Sequence, residues 1–294
     1  MKCSTAACGT ISTLAIRTDF VNPAGEASLN TETTRVLIWE AGSAPVRQTD
    51  DLAAEEPLEI QVDTRPVSVT MRTPGHDEEL AAGFLLTEGL IQTPKDIARI
   101  EPYPRNPSGN VLNVFLAPGI SVDFGQLTRH VFASSSCGLC GKATIKAIHR
   151  HFKPLHAEGC VTAKTLLALP EKLRRDQTAF ERTGGLHAAA IFNSRGKLIV
   201  LREDIGRHNA VDKVIGHGLL QGRLPFDRHI LMVSGRASFE IMQKALAARL
   251  PIVCAVSAPS SLAVKFARKS GQTLVGFLRG QRMNVYSLPR RITF

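Results

Sequence analysis

The sequence predicts an α/β protein: a larger C-terminal α/β unit and a smaller N-terminal α+β domain. Three observations predict it. The second half alternates apolar strand segments with helix formers. The runs at 230–233 and 252–256 are apolar throughout, as strands covered on both faces must be. The first half instead shows period-two strands around one helix. A chain of 294 residues is long enough for two such units.

Taken in order, residues 1–30 read as a flexible leader rich in Ala, Ser and Thr. The α+β domain is expected over 31–125. Strands fall at 34–39, 58–62 and 67–71, with Arg65-Pro66 as the turn between the last two. Thr73-Pro74-Gly75-His76-Asp77-Glu78-Glu79 opens a helix with acids in its first turn, and the helix stops near Gly89. Residues 94–110, rich in Pro and Asn, read as loop, and 111–116 as strand.

The α/β domain is expected over 126–294. Strands at 188–192 and 198–202 flank the turn Asn193-Ser194-Arg195-Gly196, a hairpin. Helix 209–220, strand 230–233, helix 237–248, strand 252–256, helix 260–269 and strand 273–278 follow, with a short strand at 284–286. Such repeats need crossovers, so a mostly parallel sheet covered on both faces is predicted.

The apolar share of 44% fits a folded chain and not a disordered one. No apolar run reaches the roughly 18 residues of a membrane span. The first residues lack the compact apolar centre of a secretory signal, so a cytoplasmic protein is expected. The net charge is +10, and residues 241–294 hold nine Lys or Arg and no Asp or Glu. Such a field attracts anions, a polyphosphate ligand among them. With one Trp and two Tyr, stacking platforms for nucleic acid are scarce.

Of six cysteines, Cys3 and Cys8 fall in the leader, Cys160 is isolated, and Cys254 lies in an apolar run, as an inert thiol would. Cys137 and Cys140 remain, in Ser134-Ser135-Ser136-Cys137-Gly138-Leu139-Cys140-Gly141-Lys142. The pair precedes the helix former 143–148. A helix N-terminus and Lys142 both favour a thiolate. Half of a zinc site is the rival reading, but zinc takes four ligands and no second CxxC supplies them, so no metal is expected. In a CxxC ahead of a helix the first thiol is the more open one. Cys137 is therefore the expected nucleophilic thiol, with Cys140 as relay or resolver.

Four other segments invite a functional reading. Ser234-Gly235-Arg236-Ala237-Ser238 and Ser257-Ala258-Pro259-Ser260-Ser261 each follow a strand and open a helix, a common setting for anions. Phe277-Leu278-Arg279-Gly280-Gln281-Arg282 sets two arginines around a glycine, suited to phosphate or to a plain basic hairpin turn. The cluster from Glu203 to Lys213 reads either as a capped helix start with ion pairs or as an acid/base or cofactor contact.

These segments together resemble the formate dehydrogenase accessory sulfurtransferase family, FdhD, over roughly residues 35–290. The resemblance rests on the Cys137/Cys140 motif, Thr183-Gly184-Gly185-Leu186-His187, the cluster at 202–213, Ser234-Gly235-Arg236, 256–261 and 277–280. It implies a sulfur carrier that accepts persulfide sulfur from a cysteine desulfurase. The sulfur would pass to the molybdenum cofactor, bis-molybdopterin guanine dinucleotide, bound as substrate before insertion into formate dehydrogenase. It implies catalytic Cys137 and Cys140, and a cofactor stretch at Phe277, Leu278, Arg279, Gly280, Gln281 and Arg282. It also implies a three-layer cytidine-deaminase-like C-terminal domain without deaminase chemistry, since His187-Ala188-Ala189 lacks the glutamate of H-x-E. A homodimer is expected, and neither nucleic acid nor membrane as partner. The rival functions are a non-catalytic cofactor chaperone and a thiol–disulfide oxidoreductase.

Overall fold

The computed structural model describes residues 30–104, 109–120, 122, 148–149, 151–156 and 159–294. Cys3, Cys8, Cys137 and Cys140 lie outside the described residues, as does the expected helix at 143–148 except its last residue.

Strands β1 (Thr31–Ile38) and β2 (Val46–Ala53) form an antiparallel ribbon, with Leu37, Trp39 and Val46 exposed at its tip. Strands β3 (Glu56–Val62) and β4 (Arg65–Arg72) form a hairpin. Its turn falls at Asp63 and Thr64, both at positive φ, and not at Arg65-Pro66 as expected. Pro66 lies in β4 instead, an edge strand, where its missing N–H is tolerated. Helix α1 (Asp77–Thr87) carries three acids in its first turn, as expected. Residues 97–102 are not loop but strand β5 (Ile97–Pro102), paired with β6 (Val111–Leu116). These four strands are ordered β4-β3-β6-β5.

After β7 (Val161–Thr162) come three short helices, α2 (Ala163–Leu167), α3 (Leu169–Arg175) and α4 (Thr178–Thr183). Then β8 (His187–Asn193), β9 (Leu198–Asp204), α5 (Arg207–Leu220), β10 (His229–Val233), α6 (Phe239–Ala247), β11 (Ile252–Ala255), α7 (Ser261–Ser270), β12 (Thr273–Arg279) and β13 (Arg282–Ser287) follow. A terminal β14 (Ile292–Thr293) pairs with β7. The large sheet has the order β13-β12-β11-β10-β8-β9. Its centre, β10 to β12, is parallel, as the crossovers require. The flanks are antiparallel, so the sheet is mixed rather than mostly parallel. The reason is that β8–β9 and β12–β13 are hairpins, which reverse the chain without a crossover.

Alternation sorts the sheet's side chains into two layers. Ala189, Ile191, Leu231, Val233, Val253 and Leu274 pack with α5, α6 and α7. Ala190, Phe192, Met232, Cys254, Val275 and Leu278 pack on the other face with Leu166 of α2 and Leu169 and Leu173 of α3. The sheet is therefore covered on both faces.

The first core also contains Leu58, Ile60, Leu80, Leu85 and Val114, so it runs without a break into the N-terminal strands. Helices α1 and α5 meet at two glycines. A Cβ on Gly83 would overlap the Asp212 carbonyl, and one on Gly216 the Glu79 carbonyl. Polar groups follow the same seam. Lys213 Nζ reaches Asp204 at 2.8 Å and donates to the Thr73 carbonyl at 2.8 Å, all buried. Lys244 Nζ reaches Asp212 at 2.8 Å and donates to Thr87 at 3.0 Å. Burial opposes ionisation of Glu79, but hydrogen bonds from His217 and Arg202 overcome it and hold its carboxyl down to about 2.

Candidate functional site

Three of the segments singled out in the sequence converge on one edge of the large sheet, where β10, β11 and β12 end. Ser238 caps α6 by accepting from Ile241 N, and Ser260 caps α7 by accepting from Ala263 N. The two loops are joined by Ser260 N donating to Ala237 O at 3.0 Å. The third segment attaches through Phe277 N, which donates to Ser257 O at 3.1 Å. Gly276 permits this approach, since a Cβ there would press on Pro259 and the Ser257 carbonyl. Parallel neighbours deliver successive loops to the same end of a sheet, which is why such edges hold ligands.

The β12–β13 turn leaves Arg279, Gly280, Gln281 and Arg282 exposed. The Arg279 guanidinium stands 5.9 Å from the Phe277 ring, and Phe277 itself adopts φ 50°. Leu278 differs from its neighbours: its side chain is fully buried in the core, so only its backbone is available to a ligand.

The cluster from Glu203 to Lys213 divides into two groups. Its acids serve the fold. Glu203 accepts from Ala179 N at 2.9 Å and Phe180 N at 2.8 Å, capping α4. Asp204 takes Lys213, the Gly206 N–H and the Asn209 amide. Asp212 takes Lys244 and Thr87. Arg207 and His208 are left at the edge, on the first turn of α5. Arg207 Nε is buried without a hydrogen-bond partner among the described residues. The His208 ring shares a 3.1 Å hydrogen bond with Ser238, and burial, then Arg207, pushes the imidazole down to about 4. His187, at the start of β8 beside Gly235, is lowered by burial and by Arg207. Both rings are therefore held toward the neutral form, and the His208 ring keeps its hydrogen bond to Ser238 without repelling Arg207.

Beside His187 opens a pocket of about 480 Å³, lined by Leu173, Arg174, Gln177, Phe180, Ser234 and Val256 among others. Sequence reading missed its α3–α4 wall. The three short helices there carry no long periodic pattern, and Gln177 sits at the junction of two of them. Ser234 joins the wall to the sheet by accepting from Ala188 N at 2.8 Å.

Among the cysteines described, Cys254 is fully buried, which pushes its thiol far up, and Cys160 is exposed. No group of three or more His, Cys, Asp or Glu that could hold a metal occurs among the described residues. No described helix is long and apolar enough to cross a membrane.

A model of the FdhD/NarQ family matches residues 53–293, which include every loop of this edge. The chain belongs to the FdhD/NarQ family. The match begins at the end of the β1–β2 ribbon and reaches the last strand. Relatives named sulfur carrier protein FdhD include one from Mycobacterium tuberculosis, 51% identical over 84% of this chain and 94% of its own. Another from Streptomyces coelicolor is 47% identical over 89% and 95%. A third, from Sulfolobus acidocaldarius, is 45% identical over 83% and 91%. Among solved structures, a proposed formate dehydrogenase accessory protein from Desulfotalea psychrophila is similar, with a TM-score of 0.71 and 27% identity. That similarity covers 90% of this chain and 99% of that one.

Proposed function

We propose that this chain is a sulfur carrier protein that supports formate dehydrogenase. It takes sulfur as a persulfide from a cysteine desulfurase and passes it to bis-molybdopterin guanine dinucleotide, its bound substrate. The observation that supports this reading best is the convergence of the basic turn Arg279–Arg282 with two helix-opening loops on one sheet edge. That arrangement offers a guanine dinucleotide's phosphates two guanidinium groups and free backbone N–H groups. Relatives named sulfur carrier proteins support it independently.

In the sulfur step, the Cys137 thiolate attacks the terminal sulfur of the donor's persulfide. A new S–S bond forms on Cys137, the donor's S–S bond breaks, and the donor cysteine leaves as thiolate. Cys140 relays or resolves the persulfide. On the receiving side, Arg279 and Arg282 hold phosphate, Gly280 lets the backbone approach closely, and Phe277 offers a ring face. Further parts of the reading are a three-layer cytidine-deaminase-like domain at 126–294, a smaller domain at 31–125, a homodimer, and work in the reducing cytoplasm.

The test is intact mass after incubation with a cysteine desulfurase and cysteine. A gain of one sulfur atom, removed by reductant and absent in Cys137→Ala, is expected. A protein that binds the cofactor but never gains sulfur is a chaperone instead. One that cycles only between dithiol and disulfide is an oxidoreductase.

A further inference from the structure

Strand β13 ends one side of the large sheet, and no strand pairs with its outer edge among the described residues. Its side chains are engaged on both faces of the sheet. Met283 and Val285 pack on one core and Tyr286 on the other. What a terminal strand has left to offer is its main-chain edge, a row of N–H and C=O groups unpaired by the sheet.

The charges around that edge have one sign. Helix α7 packs against β13 and exposes Lys265, Arg268 and Lys269. Arg282 is exposed at the head of the strand and Arg290 just past its end. Residues 241–294 contain no Asp or Glu to offset them. Helix α6, which packs on α7, brings a single acid, Glu240, and its carboxylate stands 3.9 Å from His208. Arg268 reaches over the edge itself, donating to the Tyr286 carbonyl at 3.3 Å and 3.2 Å. Lys265 stands three positions before it, on the same side of α7. Cations along an edge discourage pairing with a strand of the same sign, a second copy of β13 included. They favour an acidic strand, to which a guanidinium gives charge-assisted hydrogen bonds. Nucleic acid would be drawn by the same charge. Its phosphates accept hydrogen bonds without donating them, so they leave the strand's carbonyls unserved.

We propose that the β13 edge is a docking site for an extended, acidic segment of a partner protein, which adds a strand to the large sheet. Main-chain pairing supplies the attachment, and Lys265 and Arg268 of α7 select acidic side chains. The edge begins at Arg282, where the β12–β13 turn ends, so the docked segment lies next to the basic turn. This surface stands whether or not the chain carries sulfur.

Fluorescence anisotropy with the full chain and a dye-labelled octapeptide that alternates glutamate with valine tests this. The peptide is expected to bind, more weakly as salt rises, with its lysine–valine counterpart at least about tenfold weaker. Lys265→Glu combined with Arg268→Glu should lower the affinity at least about tenfold, while Arg279→Ala, in the turn, leaves it within about threefold. Hydrogen exchange in the complex should slow at the backbone amides of 282–287. If the double variant loses its melting transition, Lys265→Glu alone, at an exposed position, must weaken binding about threefold or more. Equal binding of the lysine peptide, unchanged affinity in the charge-reversed variants, or no added protection in β13 overturns the proposal. Tighter binding of an oligothymidylate of equal charge also overturns it, since the surface is then one for nucleic acid.

Discussion

Replacing Lys244 by methionine tests how the seam between α1, α5 and α6 is held. The aliphatic stem is nearly conserved, and the ammonium is lost. That ammonium lies 2.8 Å from Asp212, 3.0 Å from Thr87 and 3.4 Å from Glu88, with 7% of the side chain exposed. The Asp212 side chain is 3% exposed and would keep only the Thr87 hydroxyl, at 2.8 Å. Stranding a buried carboxylate costs about 3–5 kcal/mol. For a chain of this size each kcal/mol lowers Tm by about 2–4 °C, so a fall of about 6–20 °C follows. Burial, only partly offset by Lys244, already pushes the Asp212 carboxyl up to about 6. A carboxyl raised on folding adds stability below its unfolded pKa and loses it as pH rises through the folded value. The variant's deficit should therefore shrink when melting curves followed by circular dichroism are moved from pH 7.5 toward pH 5. Adding Asp212→Asn removes the stranded charge and should recover much of the loss. A single variant within about 1 kcal/mol of wild type at pH 7.5 would refute the reasoning, as would a double variant no better than the single one.

Cys137→Ala should abolish sulfur loading by intact mass while leaving the melting curve unchanged; loading lost only in Cys140→Ala would exchange the two roles. Arg279→Ala should weaken GDP binding by about 1.5–3 kcal/mol, the range for charged hydrogen bonds, and wild-type affinity should fall as salt rises; calorimetry on both proteins decides it. Ser260→Ala removes the hydroxyl that accepts from Ala263 N at 3.1 Å and should cost about 1 kcal/mol in urea unfolding. No loss there would mean that the cap is satisfied by solvent.

The strands at 230–233 and 252–256 were legible because each is an unbroken apolar run followed by a serine that caps the next helix. Two loops of the edge were legible for the same reason, and the third by its two arginines around a glycine. Strand β2 was not, since Val46-Arg-Gln-Thr-Asp-Asp-Leu-Ala53 is exposed along most of its length and has no buried face to pattern. Strand β5 hid between prolines, in a segment whose composition suggests loop. The charges in and just before α5 misled in another way. Asp204, Asp212 and Lys213 would ordinarily sit in water; the Asp204–Lys213 pair, with Thr73 and Lys244 from distant segments, makes their burial possible. Gln177 gave no signal at all, because a single glutamine at a helix junction has no pattern. The cap of α4 there is formed by Glu203, 26 positions on.

The paired glycines of α1 and α5 bear on how the chain can be divided. Each helix fits into a notch in the other, deep enough that a methyl group on either side collides with main chain. Lys213 finds its carboxylate in its own half but its carbonyl in the other, at Thr73. A fragment ending near residue 120 and one starting near 159 would each carry half of a lock and half of a charge network. Mixed together, two such pieces have a unique way to reassemble, set by steric keying rather than by general stickiness. The stretch between residues 120 and 159 is then a natural place to cut the chain and ask whether its halves find each other.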